Sequence, residues 1–214
     1  PHSVVRALSY DAARRRISGV EVIDALSGAQ LEFTARIVFL CASAIESARI
    51  LLNSATPRFP TGLANSSDQV GRNIMDHIKW GGAAGNFDDW VDKRVVGNRP
   101  NGIYVPRFRN VTSKHAAFVR GYGFQGGAAR SEWEGSHLAP GIGASFKERL
   151  TSLGPWRMGF NGFGETLPRE NNRATLHPTL KDKWGIPSLH IECQWSENEL
   201  AIHRDMNITA AELL

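Results

Sequence analysis

Residues 36–53 hold the pattern that most constrains the fold of this chain. Residues 36–42, RIVFLCA, are nearly all apolar and rich in Ile, Val and Phe, which is typical of a strand buried on both faces. Small residues follow at 42–44, and residues 45–53 carry the apolar stripe of a helix. Such a turn lets a ligand approach the backbone, and the helix N-terminus offers N–H groups to an anion. The pattern predicts a strand–helix unit and leaves open whether it binds a phosphate.

Three shorter β patterns precede this unit. Strands are predicted over residues 4–9, 17–23 and 31–34, with polar or glycine-containing turns between them. An antiparallel meander of this size cannot close a core by itself, so it needs a larger sheet to pack against. The chain has no GxGxxG loop after a buried strand, and the Gly pairs at 81–82 and 126–127 do not open a helix.

The pattern changes near residue 78, where a domain boundary is predicted between residues 1–77 and 78–214. Gly-rich and Trp-rich segments then alternate with β-like runs, and a helical piece lies around 144–150. The last helical pattern begins at Ser196. We therefore predict an α+β fold class, with a large antiparallel sheet that carries helices on one face. The β-like runs lie at 80–85, 102–108, 116–122, 156–167, 173–176 and 188–195.

Composition excludes some functions. The 214 residues carry a mild net charge of +4, and the basic run at 14–16 falls in a predicted turn, so a nucleic-acid partner is not expected. No apolar run is long enough for a transmembrane helix. Cys41 and Cys193 are predicted to be buried free thiols, without the spacing of a metal site. Because the chain has neither an initiator Met nor a leader, we expect a piece of a longer polypeptide and assign no compartment.

Two groups of residues suggest chemistry. Asp76 and His77 could form a pair for acid–base work, or could brace a loop without touching a substrate. Residues 122–127 are interpreted as a glycine-laced loop, in which Tyr122 could stack on a sugar ring and Gln125 could exchange hydrogen bonds with it. The alternative is a surface loop with no ligand.

Longer segments carry a resemblance. CASAIESARILLNS followed by GLANSSDQVGRNIMDH resembles an internal segment of the glucose–methanol–choline (GMC) family of FAD oxidoreductases, whose members usually have Gly at the position of Ser43. FGETLPRENNRATLHPTLKDKWGIPSLHIECQW followed by a helix is similar to their substrate domain. The likeness is greatest to the sugar-oxidising branch, with its pyranose oxidases, gluconate-type dehydrogenases and glucoside 3-dehydrogenases.

The resemblance implies a cofactor site. Residues 1–77 would be a partial FAD-binding domain that lacks the GxGxxG unit, and residues 78–214 a substrate-binding domain. The backbone of Val4 would meet the adenine end of FAD, and Cys41 and Ala42 would end the strand beside its ADP portion.

The resemblance also implies a substrate site. Gln194, on the strand of SLHIECQW, corresponds to a polar residue that reaches the substrate in sugar oxidases. Tyr122 and Gln125 correspond more loosely to residues of the family's substrate loop. No metal site is implied.

The implied activity is oxidation of a sugar CH–OH group by hydride transfer to flavin. The family's catalytic His lies in a motif like HxxGTxRMG, which this sequence lacks, so none of its seven histidines is assigned as a base. The isolated chain is predicted to be inactive. Its partners would be a small alcohol or sugar, missing N- and C-terminal parts of the same protein, and an electron acceptor if the enzyme is a dehydrogenase rather than an oxidase.

Three alternatives remain open at this stage. The chain could belong to a GMC enzyme for a non-sugar alcohol, or to a non-redox member of the family such as a hydroxynitrile lyase. It could also be a non-catalytic remnant of the substrate domain that acts as a binding module.

Overall fold

The computed structural model describes residues 1–93, 102–130, 140–151 and 153–214. Ten strands and three helices lie in these ranges, all sheet pairings among them are antiparallel, and the α+β fold class is confirmed. The chain forms two compact units. The first comprises Pro1–Met75 and Pro168–Gln194, and the second comprises Asp76–Leu167 and Trp195–Leu214. The assignment of residues 1–77 and 78–214 to cofactor and substrate domains stays a prediction.

The first unit begins with the predicted meander. Strands β1 (Ser3–Asp11), β2 (Arg16–Asp24) and β3 (Gln30–Thr34) form a sheet in that order. Later in the chain, β9 (Arg173–Lys181) and β10 (Pro187–Glu192) form a two-stranded sheet in the same unit. Both sheets follow from β-rich runs separated by turn residues.

Helix α1 (Ala44–Asn53) confirms the helical pattern of the opening stretch. It begins at Ser43, whose side chain accepts a hydrogen bond from the backbone N–H of Glu46 at 3.2 Å. Its Ile50 is buried against Leu8 and Leu63. The apolar face of the helix is therefore packed on the meander.

A second contact of α1 holds the β9–β10 turn. The Arg49 guanidinium donates to the Asp182 carboxylate at 2.7 Å and to the carbonyls of Pro187 and Ile186 at 2.9 and 3.2 Å. Burial raises the pKa of Asp182, but the hydrogen bonds from Arg49 and from the backbone N–H groups of Ile186 and Trp184 outweigh it and hold that pKa below its usual value.

The strand predicted at residues 36–42 is wrong. No strand forms there, because none of the described residues supplies a neighbouring strand to pair with it. Val38 and Leu40 pack towards the cluster of Leu8, Ile50 and Leu63, whereas Ile37 and Phe39 are 70% and 82% exposed. The segment therefore has one packed side and one apolar side in solvent.

The predicted burial of the two thiols is also wrong. Cys41 and Cys193 are both exposed and unpaired. Each lies just beyond a regular element, Cys41 before α1 and Cys193 after β10, so its apolar sequence neighbours do not enclose it.

The second unit is built on one five-stranded sheet. Its strand order is β4-β8-β7-β6, and β5 also pairs with β8. His77 lies opposite Glu165 and Gly82 lies opposite Asn161, so β4 and β5 follow each other along the same edge of β8. The strands are β4 (His77–Ile78), β5 (Gly82–Phe87), β6 (Gly102–Val105), β7 (Tyr122–Arg130) and β8 (Trp156–Glu165).

The long helix α3 (Glu197–Leu213) covers one face of this sheet, and the shorter α2 (Ala144–Leu150) lies where a helical piece was predicted. Ile202 and Met206 of α3 are fully buried in a cluster with Ile78 and Phe124. Glycine at 162 permits this approach, because a Cβ there would lie 2.7 Å from the Met206 sulfur. The covered side is called the helix face below, and the other side the open face.

No helix in the described ranges is long and apolar enough to cross a membrane.

Candidate functional site

Residues 122–127 belong to strand β7, so their prediction as a loop is wrong. Side chains alternate between the two faces of a strand. Tyr122 and Phe124 are 1% and 0% exposed on the helix face, whereas Gln125 is exposed on the open face. The glycines that suggested a loop lie instead within the sheet, where neighbouring backbones approach closely: a Cβ at Gly126 would lie 2.4 Å from the carbonyl oxygen of Gly159.

The strand register aligns polar groups in a row across the open face. Gln125 lies directly opposite Asn161 of β8 and directly opposite Tyr104 of β6. Antiparallel partners share a face, and all three side chains are exposed. The next row consists of small residues, with Ala84 opposite Gly159 and Gly159 opposite Gly127.

Gln125, Asn161 and the row of small residues line an open cavity of about 720 Å³, which we call the trough. The small residues form its floor, so a ligand can lie close to the backbone. Polar groups stand on both sides of that floor. The polar or exposed aromatic side chains in the lining are Trp80, Gln125, Arg157 and Asn161.

The lining of the trough is suited to binding rather than to proton transfer. Each amide offers both a donor and an acceptor, as a hydroxyl ligand requires. Trp80 is 85% exposed and presents an aromatic surface, and Arg157 supplies a positive charge. Within the described part of the chain, the residues that line the trough include no His, Asp or Glu. These residues can therefore form hydrogen bonds with a polyhydroxyl ligand, and none of them is a carboxylate or imidazole that could act as a general base.

Tyr122 is separated from the trough by the sheet itself. Its hydroxyl donates a short hydrogen bond to Asp205 and lies 3.1 Å from the Thr209 hydroxyl. Arg109 donates to the same carboxylate at 2.8 Å. Burial raises the pKa of the Tyr122 phenol. The structure thus places Gln125 in the trough and Tyr122 in the core between the sheet and α3.

The change Tyr122→Phe tests this placement. We expect the free energy of unfolding to fall by about 1 kcal/mol, because the buried hydrogen bonds to Asp205 and Thr209 are lost while the ring packing stays. Urea denaturation measures this loss. Tyr10→Phe is the control, since the half-buried Tyr10 ring packs on Phe59 and its hydroxyl makes no hydrogen bond among the described residues. An unchanged stability for Tyr122→Phe would contradict the placement.

The residues predicted to face FAD lie in the first unit. Val4 is half-buried in β1, opposite Ile23. Cys41 and Ala42 are exposed in the turn before α1, where the Ala42 carbonyl accepts a hydrogen bond from the Ser47 hydroxyl at 3.2 Å. The turn is thus exposed to solvent, and the role of Cys41 and Ala42 in cofactor binding stays a prediction.

Gln194 also lies in the first unit, just beyond the end of β10. Its backbone N–H donates to the buried Asn172 side chain at 3.0 Å, and its carbonyl accepts from that side chain at 3.1 Å. The backbone is therefore fixed and the side chain is exposed. Its substrate-binding role stays a prediction.

The Asp76–His77 pair lies at one end of the open face. The His77 backbone N–H donates to the Asp76 carboxylate at 2.7 Å, and this bond lowers the pKa of Asp76. The Asp76 carbonyl accepts from the Thr166 hydroxyl at 2.8 Å. Both side chains are largely exposed. These contacts favour the bracing interpretation.

The residues that the structure describes contain no group of three or more His, Cys, Asp or Glu side chains arranged to hold a metal ion.

Asn161, Arg157 and Trp80 were not predicted as site residues. Residues 156–167 were correctly expected to form a strand, and the alternation of WRMGFNGFGE already places Arg157 and Asn161 on the same face. Strand register, which brings Asn161 opposite Gln125, is not visible in the local sequence.

Comparison with known proteins finds that the chain is similar to two dehydrogenases. No model of a known protein family matches the chain. The chain is 34% identical over 205 residues to 2-methyl-1,2-propanediol dehydrogenase of Mycolicibacterium austroafricanum, and 30% identical over 189 residues to the fructose dehydrogenase large subunit of Gluconobacter japonicus. Each match covers 87% of this chain and 34% of the relative. The chain therefore spans about a third of the length of the curated relatives it matches.

Proposed function

We propose that this chain is part of an FAD-dependent oxidoreductase of the GMC family that oxidises a CH–OH group of a sugar or sugar derivative by hydride transfer to flavin. The observation that carries the proposal is the trough, where Gln125 and Asn161 stand side by side over a floor of small residues. Neutral amides over an open backbone suit a ligand rich in hydroxyls. Both relatives are named as dehydrogenases.

The substrates in those two names support the choice of ligand. One is 2-methyl-1,2-propanediol and the other is fructose, and each carries hydroxyl groups on adjacent carbons. The first is not a sugar. A small non-sugar diol is therefore the second candidate, and the experiment below includes it.

The residues present fit FAD in part. The turn at Cys41 and Ala42 is exposed, and we propose that it lies beside the ADP portion, with Val4 near the adenine. The sequence has no GxGxxG loop for the pyrophosphate. When bound, FAD supplies the hydride acceptor. The trough binds and orients the substrate, and none of its described lining residues is suited to take the hydroxyl proton.

Because the chain spans 34% of each relative, we propose that activity requires further parts of the same protein, and that a dehydrogenase would also need an electron acceptor. The isolated 214 residues are then a folded portion that binds substrate without turning it over.

Anaerobic titration of the full-length protein tests the proposal. Glucose, fructose, gluconate, a glucoside, 2-methyl-1,2-propanediol, choline and benzyl alcohol are added in turn, and the flavin absorbance is followed. We expect one or more of the sugars to bleach the flavin. Bleaching by the propanediol alone would establish the second candidate. Reduction only by choline or benzyl alcohol would contradict both, and a full-length protein without bound flavin would contradict the family assignment.

The 214-residue chain serves as the control in equilibrium dialysis. We expect no stoichiometric FAD binding by this chain alone, because its sequence lacks the phosphate loop. Tight binding of FAD would contradict the view that the cofactor site is incomplete in these residues.

A further inference from the structure

The amides of Gln125 and Asn161 are arranged as a pair. Directly opposite residues on antiparallel strands have Cβ atoms about 5 Å apart, and these two occupy one register position of β7 and β8. Both side chains are exposed on the open face. Neither makes a side-chain hydrogen bond to another residue in the described ranges. Two neighbouring amides are thus available to the same small ligand.

The floor beside the pair keeps the amides accessible. Gly159 and Gly127 form the next row with Ala84. A Cβ added at Gly159 would lie 3.1 Å from the Ala84 Cβ, so a larger residue would crowd the floor at that point. The row next to the two amides therefore carries no side chain larger than a methyl group.

Arg157, the charged residue of the trough, occupies a different register position from the amide pair. Arg157 is four residues from Asn161 along β8, which corresponds to roughly 13 Å in a strand. The backbone of Arg157 is therefore separated from the amide pair by the row of small residues. The two amides carry no charge, so the pair suits neutral hydroxyl groups.

We infer that Gln125 and Asn161 bind the two adjacent hydroxyls of a vicinal diol and are specificity-determining residues for that substrate class. This inference rests on the proposed function. Each amide both donates and accepts, as each hydroxyl does, so a vicinal diol satisfies the two amides at once. A mono-alcohol satisfies one of them, and the second amide gains nothing from binding.

Matched substrates and variants test the inference in the full-length flavoprotein. The rate of flavin reduction is measured with 1,2-propanediol, 1,3-propanediol and 1-propanol. For Gln125→Ala and for Asn161→Ala, we expect kcat/KM to fall about tenfold for the 1,2-diol, because one hydrogen bond is lost. For 1-propanol, which forms one such bond, the fall should be smaller, so that the preference for the 1,2-diol decreases. Equal losses on all three alcohols, or no loss on the 1,2-diol, would overturn the inference.

Asn86→Ala provides the matched control. Asn86 is an exposed amide on the open face of β5, outside the trough lining, so its removal should leave the preference for 1,2-propanediol unchanged. A change equal to that of Gln125→Ala would overturn the inference, because the effect would then belong to the whole face.

A binding measurement separates failure of the inference from failure of the proposed function. The side-chain NH₂ signals of Gln125 and Asn161 are followed by NMR during titration with 1,2-propanediol and with 1-propanol. We expect both signals to shift with the diol, and a weaker response to the mono-alcohol. If no alcohol reduces the flavin, the proposed function is wrong, but this titration still decides the inference. Absence of any shift with the diol would overturn it.

Discussion

Replacing Phe124 by Ala is expected to lower the free energy of unfolding by about 3–5 kcal/mol, the cost of truncating a fully buried aromatic residue. Phe124 is 0% exposed and packs against the rings of Tyr122 and Phe160, at centroid distances of 5.3 and 5.9 Å. Replacing its neighbour Gln125 by Ala should change that free energy by less than about 0.5 kcal/mol, since the side chain is exposed on the other face. Urea denaturation followed by circular dichroism measures both changes.

Phe124→Leu is the control for lost volume. It keeps a large apolar group in the core and should cost less than half of the Ala change. The contrast between positions 124 and 125 is specific to a strand with one covered face. Small and equal effects at the two positions would indicate a loop and would contradict the structure of β7.

Local periodicity accounts for the elements that the sequence predicted well. The helix over residues 45–53 and the strand over 17–23 agree with α1 and β2, because each carries its own apolar pattern. Local periodicity did not identify residues 122–127 as a strand, because their glycines indicate a loop when only the local sequence is considered. Those glycines are required by contacts distant in sequence, such as the approach of Gly159 to Gly126.

The strand prediction for residues 36–42 was wrong for a related reason. Their apolar composition is typical of a strand buried on both faces. Packed Val38 and Leu40 also alternate with exposed Ile37 and Phe39, as side chains do in a strand. A strand also needs a hydrogen-bonded partner, however, and pairing is a property of the tertiary structure. The composition of residues 36–42 indicates that they favour burial, but it does not show whether a partner strand is available to pair with them.

The candidate site shows the same limit. Gln125 could be proposed as a site residue from its residue type and glycine-rich context. Asn161 lies 36 positions later in the sequence, and only the strand register shows that it is next to Gln125. Tyr122 was grouped with Gln125 because the two are close in sequence. The odd spacing of three residues between them places them on opposite faces of β7, so strand periodicity would have separated them once the strand was recognised.

Replacing Glu199 by Gln is expected to lower the free energy of unfolding by about 2–3 kcal/mol at neutral pH, because a buried carboxylate loses its charge-assisted hydrogen bonds. Glu199 is 1% exposed at the start of α3. One carboxylate oxygen accepts from the backbone N–H and hydroxyl of Ser196 at 2.7 and 2.5 Å, and the other accepts from the Leu167 N–H at 3.0 Å. Glutamine would turn an NH₂ group towards at least one of these donors. Urea denaturation measures the loss.

The pH dependence of that loss identifies its cause. Burial raises the pKa of Glu199, but the hydrogen bonds from Ser196 and Leu167 outweigh it and hold that pKa below its usual value of 4.5. A carboxyl group with a lowered pKa in the folded state stabilises the protein above its unfolded pKa, and the stabilisation disappears as the pH falls through the folded value. The stability difference between the parent and Glu199→Gln should therefore be full at neutral pH and should shrink below about pH 4.5. Glu197→Gln, in the same helical turn but exposed, should show neither the loss of stability nor its dependence on pH. If the stability difference at Glu199 instead stays constant with pH, then packing, and not the charge, holds α3 to the end of β8.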